Sequence, residues 1–439
     1  MSVCEEIKRA ERALLDGSLG SIFSIAKQSL LSGTPSIEWV RFALTCRDNG
    51  ALDVSRQLLT AVTEADPANE SGYYELAFIH RLNGEHREAV NLLRNALRTC
   101  KAATRSKIFL SHMLHAIGAH CDADEILMRT RASSIEESDQ LDNMFAFGHY
   151  ISKYPRGRAL IMLDLLKTSY HWLETPALAD QIIASVRDQR PFSLIRLGDG
   201  EGGMLTIDSK DEYLYRSLYN RNRQELIAVW FGHDFQWKNN GFIDLANDIF
   251  NLTDDYDVVG IPYEAWILHE YSIASLRGIP SLVNIYRYMI SNKKKWKICS
   301  QAAHVDLYSG GYLEKIISQA RNISVISCLE DLPDLLKYKF NLDGIKFYRI
   351  PGEQGSRQIL GEKTVAGIHY PDEFHRLQAE LSHPHRGRLF LVAGGILGKI
   401  YAATIRRYGG IALDVGSIVD AWTGRATRPG YVGSEEFKL

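Results

Sequence analysis

The sequence lacks cysteines placed to act together. Its six cysteines (Cys4, Cys46, Cys100, Cys121, Cys299, Cys328) are scattered through 439 residues without a CxxC pair. That spacing argues against a zinc cluster and a disulfide framework, and it fits a reducing compartment. An excess of one charge is missing too. With 51 Lys and Arg against 53 Asp and Glu, the net charge of -2 gives no electrostatic reason to expect nucleic acid as a partner. No run approaches the roughly 18 apolar residues that cross a membrane. The first residues, Met1-Ser2-Val3-Cys4-Glu5-Glu6, have neither the basic nor the apolar part of a secretory signal. The expectation is a cytoplasmic protein without a membrane span. A hydrophobic content of 45% and a charged content of 24% are those of an ordinary globular chain, long enough for two or three domains.

What is present begins with a repeat. Ser36, Glu70 and Thr104 are spaced by 34 residues, and equivalent positions follow each of them. The first unit carries Trp39, Phe42, Ala43, Gly50, Leu59 and Pro67. The second carries Tyr73, Leu76, Ala77, Gly84, Ala89, Leu93 and Ala96, and a weaker third carries Leu110, Ser111, Gly118, Ala123 and Leu127. An aromatic and a leucine share one helix face, a small residue admits the second helix, and a glycine turns the chain. This pattern resembles the tetratricopeptide repeat. One helix pair cannot bury its own apolar face, so the units stack. The stack is read either as a concave surface for a protein partner or as a structural extension. Residues 1–135 are assigned to this all-helical domain, 136–157 to a polar linker, and 158–439 to a second domain.

The second domain alternates apolar runs with helical stretches, which predicts an α/β fold with a mostly parallel sheet covered on both faces. Strands are expected at 192–197, 256–261, 298–300, 323–328, 345–350, 389–393 and 411–415. Helices are expected at 158–188 (interrupted near Thr175-Pro176), 210–232, 241–252, 311–321, 331–339, 372–382 and 397–407. Lys294-Lys295-Trp296-Lys297 reads as an exposed edge, and Thr427-Arg428-Pro429-Gly430-Tyr431 as an extended tail whose Arg428 could fold back on an anion. Arg216, Arg221 and Arg223 either reach a diphosphate or form a solvated helix face, the latter preferred.

The domain is organised around Phe192 to Met204. A buried strand ends in Arg196-Leu197-Gly198-Asp199-Gly200-Glu201-Gly202-Gly203. In an extended or turning segment Asp199 and Glu201, two apart, project to one side. Two such carboxylates repel each other unless a cation or a protonated partner sits between them. Gly198, Gly200, Gly202 and Gly203 would let a bulky ligand approach the backbone. The segment therefore reads as a metal and phosphate site, or else as an acidic surface turn. Ligands of open α/β sheets lie at the carboxyl ends of the strands, and two further loops share that edge. One is Pro351-Gly352-Glu353-Gln354-Gly355-Ser356-Arg357. The other is Gly394-Gly395-Ile396-Leu397-Gly398-Lys399, which opens a helix as phosphate-binding turns do but matches no complete nucleotide motif. Its glycines serve either a phosphate or close helix packing, and Lys399 faces either phosphate or solvent. After the last strand, Asp414, Ser417, Asp420 and Trp422 offer acids, a hydroxyl and an aromatic plate for a sugar or a stacked ring. Alternatively, Asp420 and Trp422 cap and pack the domain end. His304 is either near a ligand or structural, and Arg196 either meets phosphate or pairs with a core acid.

Together, Ile195-Arg196-Leu197-Gly198-Asp199-Gly200-Glu201, Gly395-Ile396-Leu397-Gly398-Lys399 and Ala412-Leu413-Asp414-Val415-Gly416-Ser417 resemble the GT-D type of glycosyltransferases over about 190 to 430. The resemblance implies a Rossmann-like sheet, a nucleotide-sugar donor of the UDP type, Mn²⁺ or Mg²⁺, and a protein or glycan acceptor. Its Asp-x-Glu motif maps onto Asp199 and Glu201, expected to hold the metal. Glu353 and Asp414 are candidate bases, and Arg196, Gly198, Gly200, Gly394, Gly395, Gly398, Lys399, Ser417, Asp420 and Trp422 are candidate donor contacts. Two other readings compete: an NAD-type oxidoreductase using the Gly394–Lys399 turn, and a non-catalytic repeat scaffold with a decayed nucleotide-binding domain.

Overall fold

The computed structural model describes residues 3–48, 50–100, 104–236, 241–252, 255–292, 296–428 and 435–439. Lys294 and Lys295 of the lysine run, and Pro429, Gly430 and Tyr431 of the tail, lie outside the described residues. By internal packing the chain forms two units: Met1–Lys153 with His269–Ser275, and Tyr154–Leu268 with Leu276–Leu439. No helix among the described residues is long and apolar enough to cross a membrane.

The first unit is all helical. Helix pairs run Val3–Leu15 with Leu19–Leu31, Ser36–Asp48 with Leu52–Ala65, Glu70–Leu82 with His86–Thr99, and Thr104–Ala116 with His120–Met128. Gly50, Gly84 and Gly118, 34 residues apart, sit at the turns with φ of 82°, 76° and 81°. That left-handed backbone disfavours side-chain-bearing residues and explains why glycine recurs there. The positions read as the repeat signature are core: Trp39, Ala43, Leu59, Leu76, Ala77, Ala89, Leu93, Leu110 and Ala123 are all buried. Residues 136–157, expected as a linker, instead hold most of a further helix, Ile135–Lys153, which buries Met144, Phe147, Tyr150 and Ile151. Its polar start, with Glu136 and Glu137 in the first turn, belongs to the helix and is not a break in the chain.

The second unit is built on one sheet of eight strands: β1 (His171–Trp172), β2 (Phe192–Arg196), β3 (Val258–Ile261), β4 (Lys297–Ser300), β5 (Ile323–Ser327), β6 (Ile345–Arg349), β7 (Leu389–Val392) and β8 (Ile411–Asp414). Their order is β1-β4-β3-β2-β8-β7-β5-β6, and each neighbouring pair of these strands is parallel. The central strands are apolar on both faces, as parallel strands covered by helices must be: β3, β5, β7 and β8 are buried throughout. β4 is not an edge, because the two-residue β1 pairs outside it. β1 itself interrupts the stretch expected as helix, and two residues are too few to leave a pattern. The helices Glu264–Ser272 and Gly278–Ser291 were not foreseen. Because all strands run one way, the loops after β2, β6, β7 and β8 share one edge. β5 connects outward to β6 while its neighbour β7 connects the other way to β8, so the chain reverses direction between these two strands. Such a reversal opens a crevice at the carboxyl edge.

Candidate functional site

The acidic turn is not a turn. Asp199–Met204 is a short helix that starts directly after Gly198. Helical residues two apart are separated by about 200° around the axis, so their side chains diverge. Asp199 meets Arg277 at 3.0 Å, whereas Glu201 meets Lys399 at 2.9 Å. The shared face expected for the two carboxylates therefore does not form. The glycines have a different task from the one expected. A Cβ on Gly202 would lie 2.2 Å from the Ser281 carbonyl oxygen, and one on Gly203 2.7 Å from Leu226. They let this helix press against Gly278–Ser291. A Cβ on Gly200 would lie 2.8 Å from the Trp230 ring, so the indole, and not a ligand, covers that backbone.

Glu201 begins a chain of buried charges. Its Oε2 accepts a hydrogen bond from the Gly198 N–H at 2.8 Å, and its Oε1 faces Lys399. Lys399 Nζ also reaches Asp414 Oδ2 at 3.0 Å and the Gly395 carbonyl at 3.0 Å. An ammonium has three protons, and these three acceptors take them. Lys399 is 5% exposed, so it faces neither solvent nor a phosphate. Burial lowers its pKa, but the carboxylates of Asp414 and Glu201 outweigh burial and raise it overall. Asp414 accepts further from the Arg196 backbone N–H (3.1 Å), and Arg196 Nη2 lies 3.2 Å from its Oδ1. Burial would raise the Asp414 pKa, yet Arg196 and Lys399 bring it down to about 2. A carboxylate held so low and so fully engaged does not serve as the base expected of it. Arg196 goes on to His304, with Nη1 at 2.9 Å from Nδ1. Burial, then Arg196, holds His304 well below the ordinary histidine pKa, so it is neutral. Gly416 makes room for all this: a Cβ there would lie 1.9 Å from Arg196 Nη2.

The loop after β7 contains the tight Gly394–Gly398 approach. A Cβ on Gly394 would meet Gly398 Cα at 3.0 Å, whereas the left-handed Gly395 (φ 54°) has open space beside it. Gly394 and Gly398 thus serve packing, and Gly395 is the member a ligand can reach. Ser417 precedes the short helix Ile418–Trp422. Trp422 is 2% exposed and packs on Tyr308, with ring centroids 5.7 Å apart; it is core and offers no stacking plate. Asp420 accepts from Thr427 Oγ1 at 2.5 Å. Burial lifts its pKa to about 6, with the Glu353 charge adding to the rise. Glu353 itself is held by Arg428 at 3.0 Å and by Ser356 Oγ at 3.1 Å. Arg425 grips Asp331 with two parallel hydrogen bonds, 3.1 and 2.8 Å, so the tail crosses from β8 to the loops after β5 and β6. Gly355 meets Val229, its would-be Cβ 3.1 Å from the Val229 Cα. Through Val229 and Trp230, one helix (Arg216–Phe231) joins the loop after β6 to the acidic helix. On that helix Arg223 is buried against the Glu212 carboxylate and Arg221 pairs with Glu225 at the surface.

The expected metal site was Asp199 with Glu201. Among the described residues no three His, Cys, Asp or Glu side chains converge as a metal cage, and Glu201 already has a cation in Lys399. A two-carboxylate site does not fit. Asp199 alone fits a hard cation that takes its other ligands from water and diphosphate, as Mg²⁺ commonly does. The residues around the edge that sequence reasoning passed over are Arg277 and Trp230. His304 was visible only as a lone histidine, and Arg277 and Trp230 carry no motif. Arg428 folds back onto an anion as expected, the Glu353 carboxylate of the protein itself.

No family model matches the chain, and no curated protein does. Among solved structures, a mutant of the Thermobaculum terrenum O-GlcNAc transferase is similar at 12% identity over 91% of this chain and 77% of that one, with a TM-score of 0.24. That score is too low to support a shared architecture, so the functional reading rests on the geometry above.

Proposed function

We propose that the chain is a glycosyltransferase that moves a sugar from a nucleotide-sugar donor of the UDP type to a protein or glycan acceptor. One observation carries this reading. The buried chain Glu201–Lys399–Asp414–Arg196 ties the ends of β2, β7 and β8 together at the carboxyl edge of an all-parallel sheet, where nucleotides bind in such folds. Its charges cancel in pairs, so it acts as a brace. Breaking a buried pair costs more than forming it gains, which is why such a network persists when a rigid site requires it. The donor side would be formed by the backbone at Gly395 and by Arg428 and Arg277, whose side chains are 44% and 40% exposed. These cations face the edge and would offset the charge that develops on a leaving diphosphate. Glu353 and Asp420 are the acids left for the acceptor hydroxyl; Asp420, with its pKa near 6, has the protonation range of a base at neutral pH.

A divalent cation belongs to the proposal through Asp199 alone. It would supply positive charge to the leaving diphosphate, and the Arg277 contact it would displace is a half-exposed pair worth about 0–1 kcal/mol. The oxidoreductase alternative requires an acid free to bind a ribose after the glycine turn. Asp414 is not free, being 4% exposed and doubly paired. A decayed scaffold would not be expected to retain four paired charges, three of them buried, in register. The repeats are assigned a protein partner in this proposal. Calorimetry of the full chain with UDP and with NADH, each with and without Mn²⁺, tests it. UDP should bind, NADH should not, and Mn²⁺ should tighten UDP in a manner lost in Asp199→Asn. NADH binding without UDP binding, or neither, overturns the reading.

A further inference from the structure

Beyond the donor edge, the loop after β6 frames a cavity of about 450 Å³ in which only Glu353 has been given a role so far. It is of ordinary ligand-site size, roughly 300–1,000 Å³, and its wall carries several polar side chains. Glu353, Gln354, Arg357, Gln358, Glu362 and Thr364 line it. Among the described residues Arg357 has no ion pair, and the Thr364 hydroxyl is buried without a hydrogen-bond partner. Gln354 is anchored by its Nε2, which donates to the Gly367 carbonyl at 2.7 Å. That bond closes the loop on itself and holds the cavity open. Glu353 is anchored by Arg428 and Ser356. The cavity therefore has an anchored carboxylate and an anchored carboxamide (Glu353 and Gln354), a second carboxamide (Gln358), a second carboxylate (Glu362) and the guanidinium of Arg357.

The charge of the wall selects against one ligand class. Glu353 and Glu362 oppose the single guanidinium of Arg357, so the cavity has no surplus positive charge and does not favour a diphosphate. Planar carboxylates, carboxamides and guanidinium groups instead match neighbouring hydroxyls, since each presents paired donors or acceptors. The geometry points to a binding site for a neutral pyranose, the acceptor sugar of the proposed transfer, with Glu353 on the wall shared with the donor edge. The acceptor role rests on the transferase reading; the binding of a saccharide does not.

The test uses the full chain and saturation-transfer NMR with methyl pyranosides of glucose, galactose and N-acetylglucosamine at millimolar concentration. At least one glycoside should receive saturation from the protein. The signal should be lost in Arg357→Ala/Gln358→Ala, while circular dichroism and UDP affinity stay at wild-type values. A conservative Gln358→Glu variant should retain at least part of the signal, because it keeps a planar acceptor. Absence of saturation for all three glycosides overturns the inference, as does a double variant that binds them as the wild type does. Should UDP fail to bind while a glycoside binds, the cavity stands and the transferase reading falls. UDP binding without glycoside binding leaves the donor reading intact and removes this one.

Discussion

Lys399→Met separates the two roles that a lysine at the start of a nucleotide-site helix can have. If Lys399 contacts phosphate, its loss weakens UDP binding and leaves stability nearly unchanged. The structure gives it the other role. All three of its protons are taken by Glu201, Asp414 and the Gly395 carbonyl, in an interior where its exposure is 5%. Methionine fills most of the volume but leaves Glu201 and Asp414 facing each other at 6% and 4% exposure. Removing one partner of a buried pair costs about 3–5 kcal/mol. Asp414 retains Arg196 and Glu201 retains the Gly198 N–H, so the lower end, about 3 kcal/mol, is expected. Urea unfolding of the full chain followed by far-ultraviolet circular dichroism measures it, with the transition of the α/β unit read separately wherever two phases are seen. Adding Glu201→Gln to Lys399→Met removes the orphaned charge. The double variant should therefore be more stable than Lys399→Met alone. A Lys399→Met protein within about 1 kcal/mol of wild type would refute the brace, because an exposed pair gives values of that size. So would a double variant no more stable than the single one.

The remaining predictions concern close packing and acid. Gly202→Ala places a methyl group 2.2 Å from the Ser281 carbonyl oxygen; the two helices must part, and thermal unfolding should show a loss at least as large as the 1–3 kcal/mol of ordinary overpacking. In the repeat unit burial lowers the pKa of His112 to about 3 and of His115 to about 4, from 6.5. Above pH 6.5 neither state is protonated and nothing is lost. Below it the unfolded chain gains protons that the folded chain refuses, so stability falls until pH 3–4, by about 2 kcal/mol for each histidine at pH 5. Denaturant midpoints of the repeat transition at pH 7 and pH 5 test this, and a midpoint unchanged between them would count against it. In the α/β unit Asp420 acts oppositely. Its carboxyl is raised to about 6, so it adds stability as pH falls from neutral towards 4; Asp420→Asn should reduce that gain, as measured by the same titration.

Much of the fold was legible because it rests on periodicity. The 34-residue spacing of Gly50, Gly84 and Gly118 reports a left-handed turn that few other residues tolerate, and the apolar runs of β5, β7 and β8 report strands buried on both faces. Where periodicity was absent, legibility failed. β1 has two residues and no pattern, and the helix Ile135–Lys153 begins with a polar first turn that looks like a linker.

The site was legible in its members but not in their pairing. Glu201, Lys399, Asp414 and Arg196 all stand out from their loops, Arg196 and Asp414 being 218 residues apart, yet of the four only Arg196 carries, as one of two alternatives, the pairing with a core acid that the structure forms. Sequence places charges at a sheet edge; only packing decides whether they meet substrate or one another. Gly416 shows why. Read locally, it is one more flexible residue after a strand. In the fold it is the space that admits the Arg196 guanidinium, and that guanidinium is what holds Asp414 ionised. The same reasoning inverts the acidic helix. Gly200, Gly202 and Gly203 do not open the backbone to a ligand; they bring it against Trp230, Leu226 and Ser281. The carboxylates between them are thereby turned apart, one inward to the brace and one outward to Arg277. A motif of two acids two residues apart thus becomes two separate functions, structural at Glu201 and exposed at Asp199. It follows that Glu201→Gln should act on stability and Asp199→Asn on the metal dependence of UDP binding. Variants whose effects were exchanged would mean that the helix is wound differently when donor is bound.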